Sequence, residues 1–455
     1  MNISIFKNEH KPKKYDEQKS KIKEDFNNEQ KQRMFDSLLM VILKSLETNN
    51  KTQLLSELQS LNEFIYNSNS IKITTLFNES NFSNILLSLS FGDDYVITSE
   101  ALKCINQFII IENEFFCIFI EKDIIKLLIN KLKEKNYKNK NLIFDCLISI
   151  SNKGENFVLE IFSLITLDEI IKIGFNDSSE RELNRFIYEI TVFELPKEIV
   201  QRCFYYFIEC FNKKYEDDYK LNYWSIKQIV EKKNFSISNF DLTGLNLFIE
   251  EGIGSLDVEY ITPSIIIIGI LYRSNNPLPI FDLNCIFDCI YDNENNIFAQ
   301  TETILSNAIL TISYMLKNHQ IQYEFLMKMG LPVKLMNLID ISFNFKKVVF
   351  YFFTQFLKCC EIDSLCFLVE NHLLKFLSGF LDLETNFQCK ILFLFIDIVS
   401  KLEINHLDLL FKCLNEIDIS IISETNDSCV CSLKERLNDE IFKINSSFEN
   451  YGLHT

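Results

Sequence analysis

Seven short segments of this chain recur at nearly constant spacing. They are centred on Lys103, Asp145, Arg185, Trp224, Ile266, Leu310 and Tyr351, with successive gaps of 42, 40, 39, 42, 44 and 41 residues. A period of that length belongs to a stack of helical units, each unable to bury its apolar face alone and each touching only its neighbours. Such a stack forms one elongated core in place of the two or three compact domains that 455 residues otherwise suggest. It also offers one long concave face on which to hold its function.

The residue content agrees with helices. Only 10 Gly and 6 Pro punctuate the chain, too few for a strand-rich fold with many tight turns. Ala is confined to Ala101, Ala299 and Ala308 while Phe reaches 42, so bulky side chains must fill interior positions and each repeat packs in its own way. The start has no apolar stretch of signal-peptide type, and the runs 265–271 and 348–353 are far short of the roughly 18 residues a membrane span needs. A soluble, intracellular protein without membrane insertion is expected. Fourteen Cys without a paired framework fit free thiols in a reducing compartment. The pairs Cys429/Cys431 and Cys359/Cys360 have no His at ligand spacing, so neither a metal nor a cofactor is expected.

The clearest unit covers residues 320–357. A short helix over 320–329 leads through Gly330-Leu331-Pro332 into a second over 332–338, with Pro at its first turn, and a third follows over 345–357. Three helices in about 42 residues is the armadillo pattern. The same grammar appears at 115–120, 124–132 and 141–150, and again at 365–369, 373–381 and 387–399. Residues 200–211 and 221–230 supply the later two helices of another copy, 54–65 an amphipathic helix of a less regular first unit, and 409–442 room for a closing one. The expected fold is all-α, a solenoid of about ten three-helix units over residues 35–443, with an N-terminal arm at 1–34 and a tail at 444–455.

Charge divides the chain in the same place. Residues 1–34 hold nine Lys/Arg against six acids, a net +3, which leaves −20 for the remainder. A basic arm on an acidic body can dock on an acidic partner, fold back on the body, or be a plain solvated tail. Nucleic acid is a poor partner for so acidic a body.

Several segments resemble the importin alpha (karyopherin alpha) family. Asn307-Ala308-Ile309-Leu310-Thr311-Ile312-Ser313-Tyr314 is similar to its E-A-x-W-T-x-S-N string, and Thr262-Pro263-Ser264-Ile265-Ile266-Ile267-Ile268-Gly269 to T-P-A-L-R-A-x-G. Arg181-Glu182-Leu183-Asn184-Arg185 resembles R-N-L-T-W with the Trp replaced, and Tyr223-Trp224-Ser225-Ile226-Lys227-Gln228 resembles C-W-A-x-S-Y with the Trp kept. Order and spacing agree over roughly residues 50–440. The resemblance implies a right-handed armadillo superhelix, and a nuclear import adaptor shuttling between cytoplasm and nucleus. It would bind basic nuclear localisation signals of cargo proteins and link them to importin beta.

In that family the third helix of most repeats carries a Trp and, four residues on, usually an Asn, on the concave face. Residues four apart share a helical face. The amide holds an extended peptide's backbone, and the indoles hold Lys and Arg stems by packing and cation–π attraction. Carried onto this chain, the pairs are Lys103/Gln107, Asp145/Ser149, Arg185/Glu189, Trp224/Gln228, Ile266/Ile270, Leu310/Tyr314 and Tyr351/Gln355. Trp224/Gln228 and Tyr351/Gln355 are the strongest candidates for peptide binding, with Gln107, Ser149, Glu189 and Tyr314 beside them. Trp224 and Tyr351 can equally be half-buried aromatics that pack the repeats. The arm, from Phe6-Lys7-Asn8 to Arg33, resembles an importin-beta-binding segment through Lys7, Lys11, Lys13, Lys14, Lys19, Lys21, Lys23, Lys31 and Arg33.

A second reading keeps the solenoid and drops transport: an armadillo scaffold that assembles other proteins. Loss of most of the Trp ladder favours it and the basic arm opposes it. Catalysis is not expected, since no Gly-rich phosphate loop, no G-x-S-x-G, no H-E-x-x-H and no His beside a nucleophile occurs.

Overall fold

The computed structural model describes residues 14–450 except 69, 177–178, 213–218, 233–241, 256, 274–285, 288, 292–301, 338–341, 382–383, 403–405, 407 and 411–426. Side chains are described from Glu29 onward. Every regular element among these residues is a helix. No helix is long and apolar enough to cross a membrane. The chain divides into two compact units, residues 1–229 and 230–455.

In the first unit the 34-residue helix Lys14–Glu47 runs without a break through residue 34, where the arm was expected to give way to the repeats. Its Phe35, Leu39 and Ile42 are fully buried, while Lys14–Arg33 carries the arm's later cations. Lys7, Lys11 and Lys13 lie outside the described residues, as do the side chains of Lys14, Lys19, Lys21 and Lys23. After Lys51–Tyr66 the helices come in threes: Thr75–Glu79, Phe82–Ser90 and Tyr95–Ile111, then Asn113–Ile120, Ile124–Lys133 and Lys140–Ser151, then Glu155–Leu164, Leu167–Asn176 and Glu180–Ile190. Lys197–Asn212 and Tyr219–Glu231 follow. Lys51–Tyr66 packs on Tyr95–Ile111, which packs on Lys140–Ser151, which packs on Glu180–Ile190.

The second unit repeats the pattern. Leu242–Gly254 packs on Val258–Arg273, which packs on Glu302–Lys317, which packs on Phe343–Cys359. Tyr323–Lys328 and Leu331–Met336 precede Phe343–Cys359, close to the helices expected within 320–357, with Pro332 in the first turn as predicted. Ile362–Glu370, Leu373–Ser378 and Thr385–Leu402 form another triplet, and Ser428–Asn450 closes the unit across the expected 443/444 boundary. That last helix packs along Thr385–Leu402.

Local chemistry explains where these helices begin. Asp94 accepts from the Ile97 backbone N–H at 3.4 Å and Ser342 from that of Phe345 at 3.3 Å, so two of the long third helices are side-chain capped. The Lys51 ammonium and the Ile97 N–H hold the Asp94 carboxyl below its ordinary range. In four triplets the turn from first to second helix rests on one left-handed residue: Asn81 (φ 51°), Asp123 (φ 56°), Gly330 (φ 69°) and His372 (φ 67°). These are residue types that tolerate this region, and Asn81 to Asp123, like Gly330 to His372, is one 42-residue period. Asp123→Val should therefore lose about 1–2 kcal/mol in a urea titration, because a β-branched side chain cannot adopt that turn without a clash. Asp123→Gly should lose nothing or gain.

Hydrogen bonds between repeats share one register. The buried thiol of Cys104 donates to the Leu58 carbonyl at 3.4 Å, that of Cys146 to Leu102 at 3.8 Å, and the Thr311 hydroxyl to Ile265 at 3.2 Å. Each donor stands one residue after a recurrent position (Lys103, Asp145, Leu310), and two of the acceptors one residue before the preceding one (Lys103, Ile266). Burial pushes both thiols far above their ordinary pKa, so they remain protonated donors. This gives two of the buried free cysteines a structural reason.

Candidate peptide-binding face

Trp224/Gln228 on Tyr219–Glu231 apart, the recurrent pairs lie on helices that pack in sequence within each unit, and residues four apart share a face of each helix. In the first unit Lys103, Gln107, Asp145, Glu189, Trp224 and Gln228 are half-buried and Arg185 is exposed. Ser149 is only 8% exposed, covered by its neighbours, which takes its hydroxyl largely off the face.

Charge along this row is arranged locally. The Lys103 ammonium pairs with Glu100 at 2.8 Å on its own helix, and the Arg185 guanidinium reaches back one repeat to Asp145 at 3.5 Å. Burial nonetheless raises the Asp145 carboxyl above its ordinary range, with Arg185 opposing, Glu182 reinforcing and Arg181 opposing. Burial raises Glu189 as well, and Arg185 is again the opposing cation. Two half-buried carboxylates thus share one arginine, and desolvation outweighs the compensation it supplies.

Further along, the Thr191 hydroxyl lies 2.7 Å from the Gln228 carboxamide oxygen and 2.6 Å from the Tyr188 carbonyl, two acceptors for its single proton. The Lys227 ammonium stands 6.0 Å from the Trp224 ring centroid, so the indole already carries a cation from its own helix. The expected Trp and amide, four residues apart, share one side of that helix.

The second unit's row is more apolar. Ile266, Ile270, Leu310 and Tyr314 are half-buried, and the Tyr314 and Tyr351 rings meet at 5.7 Å between centroids, inclined by 60°. Burial raises the Tyr351 hydroxyl, Tyr314 adds to the effect and Arg273 opposes it, which places a cation near this aromatic pair. Gln355 is only 8% exposed, on a helix whose Phe352, Phe353 and Phe356 are also buried, so its amide is largely covered.

Of the arm, Arg33 forms an exposed pair with Glu29 at 3.8 Å, and Lys31 is half-buried. Among the described residues one group of metal-ligating side chains also converges, Cys389, Asp427 and Cys429, with ligand atoms all within 4.8 Å of one another. Sequence spacing hides it because its members sit about one repeat apart.

No protein-family model matches the sequence, and no curated protein matches it. Solved structures do match. An engineered protein determined by the Northeast Structural Genomics Consortium superposes with a TM-score of 0.64 at 11% identity, over 90% of this chain and 98% of that one. A second engineered protein from the same consortium gives 0.43 at 12% identity, over 54% of this chain and 99% of its own. At such identities a likeness speaks to fold alone, and only the first superposes well enough to do so: it supports an all-helical arrangement of this kind as one found in a solved structure.

Proposed function

We propose that this chain is a divergent armadillo-repeat adaptor of the importin alpha type, binding an extended basic peptide along the faces of its third helices and engaging importin beta through its N-terminal arm. The helix triplets with their left-handed turns one period apart support the armadillo assignment. The observation that carries the ligand class is the pair of half-buried carboxylates, Asp145 and Glu189, that have only Arg185 in common, in a strip with Trp224 and Gln228 further along. An outstretched chain with Lys or Arg at alternate positions would place cations on that strip and backbone groups against the Gln228 amide.

Fluorescence anisotropy tests this with the full chain and a labelled peptide carrying a Lys/Arg cluster. Saturable, salt-sensitive binding is expected. Trp224→Ala should weaken it by about 0.5–2 kcal/mol, and helix content should be unchanged because the indole is half-buried. Asp145→Asn combined with Glu189→Gln should weaken it further. Equal affinity in all three proteins would remove this face from the function.

A scaffold without signal binding is the second reading, favoured by one observation: Arg185 and Lys227 already occupy places that a ligand's cations would take. Capture on immobilised importin beta separates the two. Transport requires capture that is lost when Lys11, Lys13 and Lys14 are changed to Glu; a scaffold gives none in either form.

A further inference from the structure

Cys389 lies in the first turns of Thr385–Leu402, and Asp427 and Cys429 flank the start of Ser428–Asn450, the helix packed along it. The Cys389 and Cys429 sulfurs and an Asp427 carboxylate oxygen all lie within 4.8 Å of one another. Asp427 is itself held in place: its Oδ1 accepts from the backbone N–H groups of Cys429 at 2.9 Å and Val430 at 3.1 Å, and its carbonyl accepts from Cys431 at 3.1 Å. Two sulfurs and a carboxylate thus converge from two packed helices, with the carboxylate already oriented by the helix it caps.

We propose that Cys389, Asp427 and Cys429 form a site for a thiophilic divalent metal ion, zinc by preference, that pins Ser428–Asn450 to Thr385–Leu402. Two thiolates and a carboxylate are a donor set that a tetrahedral d¹⁰ ion accepts, with its fourth position left to water. Ligands about 2.3 Å from such an ion lie about 3.8 Å apart across the tetrahedron. The three ligand atoms, none more than 4.8 Å from another, are within about 1 Å of that arrangement before any ion draws them together. Binding displaces the two thiol protons and forms two metal–sulfur bonds and one metal–oxygen bond. The borderline softness of the set selects zinc over magnesium or calcium, which take oxygen ligands and avoid sulfur.

The test uses the full chain, reduced with a phosphine and titrated with Co²⁺ alone. One equivalent should produce the sulfur-to-cobalt charge-transfer band of a tetrahedral thiolate site, and Zn²⁺ should then displace it, since a d¹⁰ ion loses no d-electron stabilisation on leaving octahedral water for a tetrahedral site. Cys429→Ser changes an exposed residue and should abolish the band without disturbing the fold. Cys389→Ser should do the same, Asp427→Asn should weaken cobalt binding by about tenfold or more, and Cys117→Ser, an exposed thiol of the first unit, should leave the band intact. A band that survives both Cys389→Ser and Cys429→Ser, or the absence of any saturable one-equivalent binding, overturns the proposal. So does a Cys389–Cys429 disulfide that persists in the phosphine and blocks the titration.

Discussion

Phe77→Ala is expected to lower the stability of the first unit by about 3–5 kcal/mol, the range for emptying a buried phenyl ring's place. Phe77 is 1% exposed and its ring lies 5.2 Å from Phe115, 5.6 Å from Phe82, 5.7 Å from Phe108 and 6.3 Å from Phe35. Those neighbours cannot move in to fill the gap. Phe108 and Phe115 already touch each other at 4.7 Å, and Phe35 holds both at 6.0 and 6.2 Å. Cavity cost therefore adds to the lost transfer energy. Because Phe35 belongs to Lys14–Glu47, the same substitution should also expose that helix to protease. Urea unfolding followed by circular dichroism reads the first effect, and limited proteolysis the second. Phe393→Ala, at a position 52% exposed, sets the baseline and should change stability by no more than about 0.5 kcal/mol. A loss at Phe77 no larger than that would mean the aromatic cluster does not support the unit.

Gly269→Val should lose about 3 kcal/mol or more from the second unit. A Cβ at Gly269 would lie 2.8 Å from the Thr311 hydroxyl, the group that bonds the Ile265 carbonyl at 3.2 Å. Alanine there gains about 1 kcal/mol of helix propensity, against overpacking of about 1–3 kcal/mol, so Gly269→Ala should lose about 1 kcal/mol. Valine has two further methyl groups and a stiff branch, and the crowding wins outright. Thr311→Ala should recover most of the loss in the double variant. If the two substitutions prove additive, the close approach of Val258–Arg273 and Glu302–Lys317 is not what requires glycine.

That contact also marks how far the sequence could be read. Gly269 and Thr311 belong to the two strings most similar to importin alpha, and the fold presses them together. Helices such as 124–132 and 345–357 were legible because apolar residues recur every three or four positions, and the observed Ile124–Lys133 and Phe343–Cys359 differ only in their ends. The left-handed turns were legible at Gly330, whose residue type announces one, and not at Asp123 or His372, whose types allow many roles. On the candidate face, spacing placed the pairs on one side of each helix, yet the burial of Ser149 and Gln355 left no trace in spacing. The Asp145–Arg185 contact was legible as opposite charges at successive recurrent positions, whereas the Cys389, Asp427 and Cys429 group was hidden because Cys389 stands about a full repeat from the other two.

The bonds of the Cys104 and Cys146 thiols and the Thr311 hydroxyl each link one long helix to its predecessor in the stack and reach a single repeat. Within a unit these bonds join neighbours, so pulling on the chain should strip it turn by turn, as a zip opens. A peptide laid across several repeats would then be the one strap spanning them all, and binding should register as added stiffness over the length it covers.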